Sequence, residues 1–235
     1  MAQKSSQRVI EQRLLIAVTA GCALGILLWF VSISTDYWYY FSAPGAGIYM
    51  NRTKIIFLRS NVGLWRLCRT TIQNGTEQEF CRYVRMFPSQ EEIDSNPELD
   101  KTVIDYSRTE AVFSVITVLL MLMGLGFSLY TFKEPRYTYK RLVGGIHFFT
   151  AGAVLVVIEV LINCLHYEQK YAPGRFPKRI EWKFGYSSIL AWLDFVFYVI
   201  AGIIFVICSR KRKRDKSAPD DELAQADEPH ILGRL

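Results

Sequence analysis

Ser34-Thr35-Asp36-Tyr37-Trp38 follows directly on a long apolar run, and Gly63-Leu64-Trp65-Arg66-Leu67-Cys68 and then Cys81 come after it. A tryptophan at the end of an apolar run, a Gly-Leu-Trp-x-x-Cys element and a partner cysteine describe a folded segment that begins at a membrane edge. The apolar run is one of four. Residues 14–33, 111–132, 142–165 and 189–208 are nearly free of charge, and each is about 20 residues long, enough to cross a hydrocarbon core of ~30 Å. In a chain of 235 residues, 51% of them hydrophobic, four such blocks leave little sequence for a separate soluble core. The predicted fold class is therefore membrane α+β: a four-helix transmembrane bundle carrying a small extracellular antiparallel β-sheet.

The first block is too long and too aromatic for a cleaved leader, and it runs into Asp36-Tyr37-Trp38 where a leader would show a small-residue cleavage site. Four retained spans return both termini to one side. Arg210-Lys211-Arg212-Lys213-Arg214 abuts the fourth block, Lys133, Arg136, Lys140 and Arg141 crowd the link between the second and third, and Lys4, Arg8 and Arg13 precede the first. The positive-inside rule makes that side cytoplasmic. Lys170, Arg175, Lys178, Arg179 and Lys183 on the opposite side weigh against it. Two glycosylation sequons, Asn51-Arg52-Thr53 and Asn74-Gly75-Thr76, decide the matter, because both lie in the loop placed outside. The net charge of +6 then needs no nucleic acid: much of it is a stop-transfer cluster with attraction to anionic lipid.

Residues 1–13 form a short cytoplasmic lead, 14–208 the four-pass domain, and 209–235 a cytoplasmic tail, acidic after Arg214 and low in aromatics, which is expected to be disordered. Residues 36–109 and 166–188 are the two extracellular loops. The first reads as strands. Residues 37–41, 54–58 and 63–71 are rich in aromatic and β-branched residues, and residues 79–87 alternate, with Phe80, Arg82, Val84 and Met86 opposing Cys81, Tyr83, Arg85 and Phe87. Asn74-Gly75 suits a tight turn between antiparallel strands. Ser95-Asn96-Pro97-Glu98 reads as a helix start. The second loop is broken by Pro173-Gly174 and Pro177.

Cys68 and Cys81 lie in the oxidising, extracellular part, where a disulfide is the first expectation. The loop offers no matching Cys/His pairs for a metal, and no metal or cofactor is expected. Cys22, Cys164 and Cys208 fall within or at the ends of spans as neutral thiols, with S-palmitoylation the alternative at Cys208 beside the basic edge. Trp29, Tyr37, Trp38, Tyr39 and Tyr40 bracket the outer end of the first span as an interfacial belt; for Trp38 and Trp65 an anchoring role in the sheet is preferred. Glu159 and Asp194 are acidic residues inside apolar spans, where an ionisable group is costly. Both are read as shallow, near the outer ends, which favours a structural or partner-contact role over transport. His147 reads as a hydrogen-bonded helix residue. Gly21-x-x-x-Gly25 permits close helix approach. Phosphate-binding loops, nucleophile elbows and zinc-protease helices are absent from the sequence, so an enzyme is not expected.

Four spans, a β-rich first loop and Trp38…Gly63-Leu64-Trp65-x-x-Cys68…Cys81 resemble the claudin and peripheral-myelin-protein superfamily over most of the chain. Ser34-Thr35-Asp36-Tyr37-Trp38, Gly63-Leu64-Trp65-Arg66-x-Cys68, Phe87-Pro88 and Phe184-Gly185-Tyr186-Ser187 resemble its calcium-channel gamma-subunit branch, which includes the stargazin-like transmembrane AMPA-receptor regulatory proteins. Asn51-Arg52-Thr53 and a single loop disulfide look most like the type II members. The resemblance implies an auxiliary subunit at the plasma membrane, synaptic membrane included. It would dock through its spans on an ion channel or ionotropic glutamate receptor pore subunit and tune gating and trafficking. The alternative is a claudin-like adhesion or paracellular barrier protein. The terminal Tyr-Val usual in claudins is missing, and Gly233 stands where a PDZ ligand has Ser or Thr, which argues against scaffold anchoring.

Overall fold

Apolar sequence longer than a membrane is thick folds here into helices that outrun the apolar blocks. The computed structural model describes residues 2–50, 54–95, 99–171 and 180–209, with backbone only for residues 2–8. Helix α1 is Ala2–Ser34, the short α2 is Gln90–Ser95, α3 is Lys101–Lys133, α4 is Tyr137–Tyr171 and α5 is Tyr186–Ile207. Among the described residues α1, α3, α4 and α5 are the four helices long and apolar enough to cross a membrane. They close a ring in which α3 packs on α1 and α4, and α5 on α4 and α1. The outer surface is apolar, with Leu27, Leu119, Phe149 and Leu193 exposed, while Ser114, Thr117, Ser128, Thr131 and Thr150 are buried inside. Small hydroxyl residues suit such an interior because they let helices approach closely. Each also satisfies its proton on its own helix: Ser114 donates to the Glu110 carbonyl at 2.7 Å, Ser128 to that of Gly124 at 2.7 Å and Thr150 to that of Ile146 at 2.9 Å.

The strands are β1 Tyr39–Ser42, β2 Ile48–Met50, β3 Ile55–Val62, β4 Arg66–Gln73, β5 Thr76–Tyr83 and β6 Glu181–Phe184. They form one antiparallel sheet in the order β5-β4-β3-β1-β6, with β2 also on β3. The β4–β5 hairpin turns at Asn74 (φ 53°) and Gly75 (φ 80°), both in the left-handed region that a two-residue hairpin turn requires. Trp38, Tyr39, Phe41, Phe57, Leu64 and Leu67 from the sheet share one buried core with Trp29, Val154, Val157, Ile158 and Leu161 from the helices. The sheet is thus seated on one end of the bundle.

Four expectations change. The alternating segment 79–87 is not a half-buried strand: β5 stops at Tyr83 and is exposed at every position, because it is the sheet edge. Ser95 closes α2 instead of starting a helix. Asn96, Pro97 and Glu98 lie outside the described residues, and the helix into the second span starts at Lys101, where Asp100 accepts from the Thr102 amide at 2.7 Å as N-cap. The second loop is not merely irregular: α4 runs on to Tyr171, and β6 pairs with β1, Tyr39 opposite Phe184 and Phe41 opposite Trp182. Trp29 is not in an interfacial belt. It is fully buried and meets Trp38 edge to face at 6.4 Å. Asn51, Arg52, Pro173-Gly174, Pro177, the Arg210–Arg214 cluster and the tail fall outside the described residues.

Candidate functional site

The motif residues converge on the last turn of α1. The Trp38 indole donates to the Ser32 carbonyl at 2.9 Å and the Trp65 indole to that of Ile33 at 2.7 Å. Helix-end carbonyls lack intrahelical partners, and the two tryptophans supply them. Between them Asp36 takes an ion pair and a 2.6 Å hydrogen bond from Arg66. That hydrogen bond, and then the carboxylate charge, raise the Arg66 pKa. Gly63 lies so close that a Cβ there would stand 2.7 Å from the Asp36 Cα and 2.8 Å from the Thr35 carbonyl oxygen. Leu64 fills the core beneath.

Phe184-Gly185-Tyr186-Ser187 meets the same stretch from the other side. Gly185 donates to the Trp38 carbonyl at 2.9 Å, the Ser187 amide to that of Tyr37 at 3.2 Å and the Ser188 hydroxyl to that of Trp38 at 2.6 Å. Ser32 donates to the Ser187 carbonyl at 2.8 Å, and Tyr37 stacks on Tyr186 at 5.0 Å. Two motifs 150 residues apart in sequence therefore form one knot that fixes the sheet to α1 and α5. Cys68 and Cys81 stand directly opposite in the β4–β5 register and are joined by a disulfide. Glu79 lies beside them, but thiols committed to a disulfide do not bind a metal. Arg59 pairs with Glu77 at 3.1 Å and Arg85 with Glu92 at 3.7 Å, and the Arg69 guanidinium lies 5.7 Å from the buried Phe57 ring. Phe80 and Tyr83, both exposed, line a cavity of about 330 Å³ between β5 and the start of α3, and Phe87 is exposed as well.

Asp194 and Glu159 part company. Asp194 is 1% exposed, inside the ring between α1 and α5, and a Cβ on Gly25 would stand 3.2 Å from its Oδ1. Of the two roles expected for Asp194, the structural one fits this burial, since α1 covers it. Its Oδ2 and the Trp29 Nε1 have no hydrogen-bond partner among the described residues. Deeper in, His147 lies 3.2 Å from the Ser128 hydroxyl and 3.7 Å from the Cys22 sulfur, and the Tyr198 hydroxyl donates to the Cys22 carbonyl at 3.3 Å. This inner polar seam ties all four long helices together. Gly21 packs there too, against Phe197, so Gly21-x-x-x-Gly25 serves the bundle itself.

Glu159 points out of the ring. With Gly145, Gly152 and His166 it repeats every seven residues, and Phe149, Val156 and Asn163 repeat beside it. Phe149 is 73% exposed, and Gly152, Glu159, Asn163 and His166 are exposed as well. A Cβ at Gly145 or Gly152 would meet nothing. The Asn163 amide donates to the Glu159 carbonyl at 2.7 Å, so the pair forms a polar spot at the outer end of an otherwise apolar seam. Sequence reading singled out Glu159 but not the seam, whose signal was the seven-residue spacing. Its signal for β6 was equally plain, since Trp182 and Phe184 alternate with Glu181 and Lys183. Cys208 follows α5, half-buried, at a cavity of about 640 Å³ that Leu15, Phe132, Tyr137 and the Glu11–Lys140 ion pair also line.

A four-helix membrane bundle crowned by an antiparallel sheet, with a Gly-Leu-Trp-x-x-Cys strand disulfide-bonded to its neighbour, defines a class of multi-pass membrane protein. The family model described as PMP-22/EMP/MP20/Claudin tight junction matches residues 23–207. The chain belongs to that family. It is 28% identical over 200 residues to the human voltage-dependent calcium channel gamma-7 subunit, covering 85% of this chain and 70% of that one. To the mouse gamma-5 subunit it is 29% identical over 203 residues, with the same coverage. Rabbit epithelial membrane protein 1 is 26% identical over 156 residues, covering 66% of this chain and 79% of the other.

Proposed function

We propose that the chain is an auxiliary subunit of an ion channel, held beside the pore subunit by the outer seam of α4 and acting on it through the extracellular sheet. The similarity to gamma-5 and gamma-7 calcium-channel subunits supports the channel class. The observation that carries the docking is Glu159 exposed on an apolar, glycine-notched helix face. An acidic side chain turned toward lipid is costly. A partner helix that donates hydrogen bonds to it, and fits against Gly145 and Gly152, removes that cost. Heptad spacing of the seam is the geometry of side-by-side helix packing.

The pore subunit proposed is that of an AMPA-type glutamate receptor or a voltage-gated calcium channel at the plasma membrane, synaptic included, with both termini cytoplasmic. Asn51 and Asn74 are proposed glycan sites and Cys208 a proposed acylation site. A modulator needs only a small difference in affinity between channel states, since ~1.4 kcal/mol shifts an equilibrium tenfold. Co-expression is expected to change current decay or surface level of one of these two channel classes, and replacing residues 36–109 with a claudin loop is expected to weaken the change. Unchanged currents from both, together with raised electrical resistance across an epithelial layer, would establish the adhesion reading in its place.

A further inference from the structure

The sheet ends on an open edge. Among the described residues β5 has β4 on one side and no strand on the other, and it is exposed at every position. Directly opposed pairs in an antiparallel ladder alternate between bonded and non-bonded. The Val84 amide donates to the Trp65 carbonyl at 2.8 Å, so the register makes Arg82 with Leu67, Phe80 with Arg69 and Gln78 with Thr71 the bonded pairs. Glu77, Glu79, Cys81 and Tyr83 then turn their backbone N–H and C=O groups away from β4. Such a row is a template for another strand.

The two faces of that edge differ. Phe80 and Arg82 line the cavity of about 330 Å³ together with Leu67, Leu99, Val103 and Ile104. Side chains alternate along a strand, so Glu77 and Glu79 stand on the other face. Glu77 meets Arg59, but both side chains are 54% exposed. A pair so exposed contributes little, and the carboxylate still faces solvent. A strand added to the edge places alternate side chains at the cavity and the rest beside the two acids. We propose that β5 receives an extended segment of another protein as an added antiparallel strand, whose apolar side chains enter the cavity beside Phe80 and alternate with basic ones opposite Glu77 and Glu79. A second copy of β5 fits worse, because its matching face holds Glu77, Glu79, Cys81 and Tyr83 and no base. The inference deepens the part given above to the sheet, and it rests on that reading only for which protein supplies the segment.

A synthetic peptide alternating lysine with valine and leucine, titrated onto the full chain in nanodiscs of zwitterionic lipid, tests it without any channel present. It should bind at least tenfold more tightly than a peptide of the same composition with its lysines grouped at one end. N-methylation of its lysines, which stand opposite the residues that offer backbone bonds, should cost at least tenfold, while N-methylation of its apolar residues is tolerated. Glu79→Pro removes an N–H that points away from β4, a place where an edge strand accepts proline. It should weaken binding at least tenfold with the far-ultraviolet dichroism and the Cys68–Cys81 bond unchanged, and Glu77→Lys with Glu79→Lys should do the same. Equal binding of the two peptides overturns the proposal, as does binding that survives both Glu79→Pro and N-methylation of the lysines. A dimer of the chain that Glu79→Pro dissolves also overturns it, since the edge would then belong to a second copy.

Discussion

Asp194 and Glu159 are both acidic residues in apolar membrane helices, and they face opposite ways. Asp194 belongs to an inner seam with Trp29, Cys22, His147, Ser128 and Tyr198, closed over by α1. Glu159 belongs to an outer seam on α4 where nothing closes over Gly145 or Gly152. Hydropathy treats the two residues alike. Packing separates them, so that one holds the bundle and the other is open to a neighbour. Substitution is therefore expected to cost stability on the inner side and assembly on the outer.

The knot that joins sheet and bundle should show the largest stability effect. Trp38→Ala removes a fully buried ring and its bond to Ser32. It is expected to cost ~3–5 kcal/mol, read as a lower unfolding temperature and as loss from the cell surface in biotinylation. Opening the disulfide with Cys68→Ala is expected to cost ~3 kcal/mol, measured the same way. The glycine pair then sharpens the contrast. Gly21→Leu drives a side chain into Phe197, whose ring would stand 2.6 Å from the new Cβ, and should cost ~1–3 kcal/mol. Gly152→Leu should leave stability within about 0.5 kcal/mol, because the new side chain enters open space. The smallest effect is expected at Thr76→Ala, which removes the second sequon and keeps Asn74 in its turn. A glycosidase-sensitive mobility shift should shrink, with stability altered by no more than about 0.5 kcal/mol.

Much of the fold was legible because it rests on local composition. Four apolar runs are sufficient for four helices, and Asn74-Gly75 is sufficient for a hairpin that brings Cys68 opposite Cys81. The knot was legible as residue types but not as a contact, since Tyr37 and Trp38 meet Gly185 and Ser188 from about 150 residues away along the chain. Strand β5 misled because its alternation is that of an exposed edge, where neither face is buried. Trp29 misled because aromatics near a membrane boundary also serve buried cores.

The account turns on the outer seam of α4, and its most direct test is recovery of the pore subunit that co-purifies with the wild-type chain. Glu159→Leu and Gly152→Leu should each lower that recovery about tenfold, ~1.4 kcal/mol, at unchanged surface level and unfolding temperature, while Gly126→Leu, another glycine with open space around it, leaves recovery intact. Equal recovery from the two α4 variants and the wild type would contradict it.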